Sequence, residues 1–292
     1  MPGDVIASIA SLRARLDEVR GSGATVGFVP TMGALHAGHA RLIETARGEC
    51  QSVVVSVFVN PLQFDREDDL RRYPRTLDTD RELCRTLGVD VVFAPSVDEI
   101  YPAPPSCTVS VGHLADHLCG HFRPGHFQSV ATIVAKLLGI VQPDRAYFGE
   151  KDYQQLTIVR RLVADLNIRT LIVGVPTVRE ADGLALSSRN RQLGPAERPL
   201  ATALYRALSE ADRLIRAGTT DVGPIKAAAA AQVPGNPLLR LEYLEIVGVD
   251  DLQPVARVDG PVRVAGALWV GATRLIDNVA SQPLDKLGAR TL

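Results

Sequence analysis

The chain has 292 residues, 46% of them hydrophobic, enough for a buried core in one large domain or two unequal ones. A formal net charge of -1 argues against a general nucleic-acid or membrane-surface partner. Four cysteines without a C-x-x-C pair, no signal-peptide pattern at the N-terminus and no apolar run near the ~20 residues of a membrane span predict a reduced, cytoplasmic protein with no membrane partner.

Ile6, Ile9, Leu12, Leu16 and Val19 recur at helical spacing, and Gly21 and Gly23 end the run, so the chain is expected to open on an amphipathic helix. Residues 25–29 form a short apolar run stopped by Pro30, which predicts a buried strand. A second helix covers 42–46. The β-branched run 53–59 predicts a strand ended by Asn60-Pro61. Further along, 75–87 predicts a helix, 89–93 a strand, 127–141 a helix, 145–148 a strand, 153–166 a helix and 169–175 a strand. Strands alternating with helices predict an α/β fold: a parallel sheet with helices on both faces, and ligands at the carboxyl ends of the strands. After about 175 the texture changes to Ala-rich helices at 196–217 and 222–231, then strands at 238–247 and 262–270. This places a smaller α+β domain at 178–292 behind a first domain at 1–177.

Three polar loops follow strands and are expected to converge: 30–39, 60–64 and 149–152. The first, Pro30-Thr31-Met32-Gly33-Ala34-Leu35-His36-Ala37-Gly38-His39, joins a strand to a helix and carries two histidines three apart. Its glycines let backbone N–H groups approach a ligand, and the helix N-terminus favours an anion. Two imidazoles there suit phosphate oxygens and developing charge. Read alone, the same loop fits a glycine turn with two surface histidines, and no Cys or Glu-x-x-His completes a zinc site. The second, Phe148-Gly149-Glu150-Lys151-Asp152-Tyr153-Gln154-Gln155, offers Lys151 as a point charge for phosphate, and it also fits an ordinary acid-capped helix start. The chain has only four lysines, Lys136, Lys151, Lys226 and Lys286, so a lysine inside a motif is informative. A third segment, 179–190, places Ser187, Ser188 and Arg189 at the domain boundary, where they suit a phosphate clamp. In 58–64, Gln63 can donate and accept, which suits a hydroxylated carboxylic acid. His113, His117, Cys119, His121 and His126 have ligand-like spacing, but they match no standard zinc module and read as a loop.

Together PTMGALHAGH, VFVNPLQF, YPRT, FGEKDYQQL and READGLALSSRN closely resemble the pantothenate synthetase (pantoate–β-alanine ligase) family, in its order and spacing, from about Arg20 through the RLIDN segment at 274–278. His36-Ala37-Gly38-His39 resembles the HIGH signature of the wider nucleotidyltransferase superfamily. The resemblance implies a Rossmann-like ATP- and pantoate-binding domain, a C-terminal lid and a homodimer. It implies condensation of pantoate with β-alanine through a pantoyl-adenylate, using ATP and Mg²⁺ and releasing AMP and pyrophosphate. By the same resemblance Met32, Gly33, Ala34, Leu35, His36, Ala37, Gly38 and His39 line the ATP site, with His39 in the proton-donor position and His36 and Lys151 beside it as catalytic groups. Gly149, Glu150, Lys151, Asp152, Val178, Leu186, Ser187, Ser188 and Arg189 also bind ATP, Gln63 and Gln155 hold pantoate, and Asn60 sits beside them. The ligands of Mg²⁺ are not specified.

The chemistry agrees with this assignment, because both acids and the triphosphate are anions and their reaction needs neutralising charge. Two rival readings share part of the pattern. Another nucleotidyltransferase or acid-activating enzyme shares the two-histidine loop but not the Gln63 and Gln155 loops. A nucleotide sensor keeps the glycines without needing His39, Lys151 and the Ser-Ser-Arg loop together. The chain departs from the family where Leu-Glu-Gly often stands: it reads Leu118-Cys119-Gly120, and Ser129 replaces an expected glycine. If that Glu pairs with Arg123 in relatives, the local pairing is changed here.

Overall fold

A computed structural model describes residues 3–283; residues 1–2 and 284–292, with Lys286 among them, lie outside the described residues. The chain forms two compact units. Of the described residues, the first comprises 3–111, 123–150 and 155–178, and the second 112–122, 151–154 and 179–283.

The first unit is built on six parallel strands: β1 (Asp4–Ile6), β2 (Val26–Thr31), β3 (Ser52–Val57), β4 (Val91–Phe93), β5 (Arg145–Gly149) and β6 (Leu171–Val175). They run in the order β1-β4-β3-β2-β5-β6. Its helices are α1 (Ile9–Gly21), α2 (Ala37–Glu49), α3 (Glu67–Arg72), α4 (Leu77–Thr86) and α5 (Val97–Ile100). After a short α6 (Leu118–Phe122), assigned to the second unit, come α7 (His126–Val141) and α8 (Tyr153–Asp165). Period-2 alternation splits the central strands between the two faces. Val29, Val53 and Val55 join Leu42, Ile43 and Ala46 of α2 in one core, while α7 packs against β2 and α1. None of the described helices is long and apolar enough to cross a membrane.

From β2 the chain winds outward through β3 and β4, and β5 and β6 then lie on the other side of β2. That reversal leaves a crevice beyond the carboxyl ends of β2 and β5, where open α/β sheets take ligands. Pairing of β2 with β5 ends at Phe28–Ala146, while pairing with β3 runs on to Thr31–Val57. This explains why Pro30 does not stop the strand as expected. Its missing N–H faces the side where the β5 ladder has already ended.

The first helix begins later than the spacing predicts. Ile6 closes β1, and Ser8 caps α1 by accepting a hydrogen bond from Ser11 N–H at 3.1 Å. Likewise the predicted helix 75–87 starts at Leu77, and the run 53–59 leaves the sheet after Val57.

The second unit holds an antiparallel sheet of β7 (Leu239–Gly248), β8 (Val262–Val270) and β9 (Thr273–Ser281), in the order β7-β8-β9. Helices α9 (Ala203–Arg216) and α10 (Val222–Ala230) share its core. Ala203, Ala207 and Ala211 lie one turn apart and are fully buried with Leu204 and Leu208. This Ala stripe lets α9 approach so closely that a Cβ on Gly266 would come 2.8 Å from Leu204 Cδ1. Residues 196–199 are turns and Leu200–Thr202 a 3₁₀ helix, so the α-helix starts only at Ala203, later than predicted.

Candidate active site

The loop after β2 is held from below. Gly33 and Ala34 both take left-handed backbone angles (φ 79° and 52°). At Gly33 a Cβ would meet Val57 Cγ1 at 2.9 Å and Asp80 Oδ2 at 3.0 Å, so only glycine fits. Asp80, on α4 and 1% exposed, is the anchor. Its carboxylate accepts hydrogen bonds from Ala34 N–H (2.9 Å) and Leu35 N–H (2.8 Å), and Thr76 Oγ1 donates to it at 3.2 Å. Gly33 N–H donates to Thr31 Oγ1 at 3.1 Å. These amides are therefore spent inside the protein, contrary to the expectation that the glycine loop opens its N–H groups to a ligand. The sequence reading missed Asp80, although it lies just beyond the YPRT segment. Asp80→Ala leaves two buried amides and a hydroxyl without their acceptor, each worth ~1–3 kcal/mol. The expected result is a loss of about 3 kcal/mol or more of stability, read by denaturant unfolding; an unchanged midpoint would show that the loop does not depend on this anchor.

What the loop offers instead is imidazole. His36 caps α2, its Nδ1 accepting from Gly38 N–H at 3.1 Å, and His39 Nδ1 accepts from His36 N–H at 3.3 Å. A backbone N–H can only donate, so each Nδ1 is the unprotonated nitrogen and each ring carries its proton on Nε2. The rings lie 4.1 Å apart, centroid to centroid, and both are half-buried. Two neutral Nε2–H donors side by side suit phosphate oxygens.

Beside them in the sheet, the turn after β3 carries Asn60 and Gln63. Asn60, 1% exposed, accepts from Leu62 N–H (3.4 Å) and Tyr101 Oη (3.1 Å) and donates through Nδ2 to Gln63 Oε1 (2.9 Å). The Gln63 carbonyl accepts from Arg123 Nη2 (2.9 Å) and lies 3.0 Å from His126 Nδ1. Arg123 is also paired with Asp65 at 2.7 Å. Burial raises the Asp65 carboxyl pKa, but hydrogen bonding to Arg123 and its charge outweigh this and hold it below the usual range. Arg123 thus has its acidic partner in Asp65. Gly149 closes β5, Glu150 opens the 3₁₀ turn Glu150–Asp152, Val178 follows β6, and Gln155 lies half-exposed in the first turn of α8.

Within the second unit, Lys151 is held through its backbone: Asn278 Nδ2 donates to its carbonyl at 2.8 Å. Its ammonium lies 3.6 Å from Asp152. One residue earlier in β9, the buried Asp277 accepts a two-pronged interaction from Arg179 (2.5 and 3.0 Å). Burial pushes the Asp277 carboxyl up, against the lowering pull of Arg179 and Lys151. Arg179 opens a tight hairpin whose tip, Gly183, sits at φ 91°. Arg198 grips that hairpin through Glu180 (2.7 Å) and Asp182 (2.8 Å). Leu186 leads into a 3₁₀ turn, Ser188–Gln192, capped by Ser187 accepting from Arg189 N–H at 3.3 Å. The segment carrying Ser187, Ser188 and Arg189 is thus pre-shaped. Asp277 and Asn278 were not singled out from the sequence; two polar residues in succession hide a buried strand.

The histidine-rich stretch has other partners. His117 Nε2 bonds Gln253 Oε1 (3.1 Å), Cys119 Sγ accepts from Arg274 Nη1 (3.6 Å), and His121 packs edge-on to Phe122. Among the described residues no three His, Cys, Asp or Glu side chains are grouped to hold a metal.

The profile of the family described as pantoate-beta-alanine ligase matches residues 4–280. The chain belongs to the pantoate–β-alanine ligase family. A pantothenate synthetase of Moorella thermoacetica is 48% identical over 97% of this chain and 100% of its own length. A bifunctional pantoate ligase/cytidylate kinase of Thermosynechococcus vestitus is 55% identical over 87% of this chain, which spans only 50% of that relative. The chain thus spans about half the length of the bifunctional relatives it matches. Among solved structures, a pantothenate synthetase of Thermus thermophilus superposes with a TM-score of 0.89 at 49% identity, covering 94% of this chain and 98% of that one. A family ligase from Francisella tularensis, complexed with β-γ ATP and β-alanine, gives 0.79 at 35% identity, covering 94% and 96%. These comparisons favour the ligase family over the two rival readings.

Proposed function

We propose that the chain condenses pantoate with β-alanine at the expense of ATP. The observation that carries this reading is the family match across residues 4–280, which spans every loop described above. In the first step a pantoate carboxylate oxygen attacks the α-phosphorus of ATP. The bond from the α-phosphorus to the bridging oxygen breaks, and pyrophosphate leaves. In the second step the neutral amine of β-alanine attacks the acyl carbon of the pantoyl-adenylate, the acyl C–O bond breaks, AMP leaves and the nitrogen loses a proton. His36 and His39 donate Nε2–H hydrogen bonds to phosphate oxygens, and Lys151 and Arg189 supply positive charge. The segments Met32–His39 and Gly149–Asp152, with Val178 and Leu186–Arg189, take ATP, while Gln63 and Gln155 take pantoate with Asn60 beside them.

Mg²⁺ belongs to the proposal as the counter-ion that ATP carries, offsetting phosphate charge. A division into an ATP- and pantoate-binding part through residue 177 and a lid from 178, and a homodimeric assembly, belong to the same proposal. All four cysteines are free, which suits a reducing cytoplasm.

The test is AMP release from ATP and Mg²⁺, assayed with each substrate omitted in turn. AMP should appear only when pantoate and β-alanine are both present. Pantoate that binds without any AMP forming in the complete mixture would overturn the proposal.

A further inference from the structure

Gln63 can in principle offer a ligand either half of its amide. The turn that carries it removes that choice. Leu62 N–H, which can only donate, points at one end of the Asn60 side chain, and Tyr101 Oη approaches the same end at 3.1 Å. That end must be the carbonyl, Oδ1. Asn60 therefore turns Nδ2 toward Gln63, and the Gln63 atom that receives it at 2.9 Å must be Oε1. With Oε1 engaged, Nε2 with its two N–H donors is the end that remains.

The origin of this chain is buried. Tyr101 follows α5, Lys136 Nζ sits 5.0 Å from its ring centroid, and Phe58 packs 6.3 Å away. Burial pushes the Tyr101 phenol up to about 12, so its hydroxyl stays a donor throughout the neutral range.

We infer that Tyr101 is a positioning residue which, through Asn60, holds the Gln63 amide so that it presents only N–H donors to the acid substrate. This rests on the reading of Gln63 as a pantoate residue. Gln63 then selects groups with lone pairs, a carboxylate oxygen or a hydroxyl acting as acceptor, and disfavours a substrate that places a donor there.

Calorimetric pantoate binding to wild type, Tyr101→Phe, Gln63→Ala and the double variant tests this. Tyr101→Phe keeps the ring and removes only the hydroxyl. It should weaken pantoate binding about tenfold while ATP binding changes less than about twofold. Gln63→Ala should lose at least as much, and adding Tyr101→Phe to it should cost nothing further, because the tyrosine acts through the glutamine. Asn60→Ser, which breaks the relay at its centre, should repeat the Tyr101→Phe loss. Wild-type pantoate affinity in Tyr101→Phe, or losses that simply add in the double variant, would overturn the inference. If the wild-type protein binds pantoate yet forms no AMP, the ligase reading falls and the binding cycle still decides the role of Tyr101. If it binds no pantoate, both fall.

Discussion

His39→Ala should lower kcat/KM for AMP formation by about a hundred- to a thousandfold, the range seen when one pre-aimed donor to a developing charge is lost. The expectation comes from the tautomer. His39 Nδ1 is occupied by His36 N–H at 3.3 Å, so the proton sits on Nε2 and the ring is a hydrogen-bond donor with no need to carry charge. Attack on the α-phosphorus builds negative charge on its oxygens, and a donor held before the reaction stabilises that charge without reorganising. The structural cost should be small. Removing the ring leaves one helix-start amide to water, worth about 1 kcal/mol. His36→Ala removes the cap of α2 as well, so it should combine a rate loss with a larger drop in stability. Single-turnover AMP formation beside thermal unfolding separates the two effects. A wild-type rate in a folded His39→Ala protein would remove His39 from the proposed role.

Lys151→Ala should cost about a hundredfold in the same assay, with the loss falling on adenylation and not on pantoate binding. Lys151 is half-buried, its carbonyl tied to Asn278 and its ammonium 3.6 Å from Asp152. The aligned backbone sets where the ammonium can reach, and the carboxylate gives it a counter-charge. Lys151→Arg should restore only part of the rate, because a broad planar fork replaces a compact point charge. Asn278→Ala should fall between wild type and Lys151→Ala, since the charge survives while its tether is lost. Pantoate-dependent pyrophosphate exchange measures all three. Equal rates for Lys151→Ala and wild type would contradict the role; a pantoate affinity lost in parallel would reassign it to substrate binding.

The departure from the family pattern at Cys119 leaves Arg123 paired. Arg123 pairs with Asp65 and bonds the Gln63 carbonyl. Cys119 receives a hydrogen bond from Arg274, a guanidinium already neutralised by Glu242 at 2.5 Å. The other change, Ser129, bonds back to the Gly125 carbonyl at 3.2 Å within the first turn of α7. Neither change leaves a buried charge uncompensated.

Residues 25–29, 53–59 and 169–175 are near-continuous apolar runs, and such runs interleaved with helices already specify a parallel sheet covered on both faces. The motif loops lie directly after the first two of those runs and after the strand predicted at 145–148, so the candidate site was legible as a set of strand ends. The short β1 and the last strand, β9, were not legible. β1 is three residues long, and β9 carries Asp277 at a position where the alternating pattern expects an apolar side chain and Asn278, also buried, on the opposite face where it expects exposure. Burial of those two residues is tolerated only because Arg179, Arg263 and the Lys151 carbonyl meet them, partners up to 127 positions away in sequence. The same reason hid Asp80, which lies 45 and 46 positions from the amides it holds. Local pattern reports which residues seek the interior and where a strand must end. Which nitrogen of each histidine carries the proton is set by helix-start amides two and three residues away, once the loop has its folded shape. Which end of Gln63 is engaged depends on Tyr101, 41 positions from the Asn60 it fixes, a partner that only the folded chain supplies.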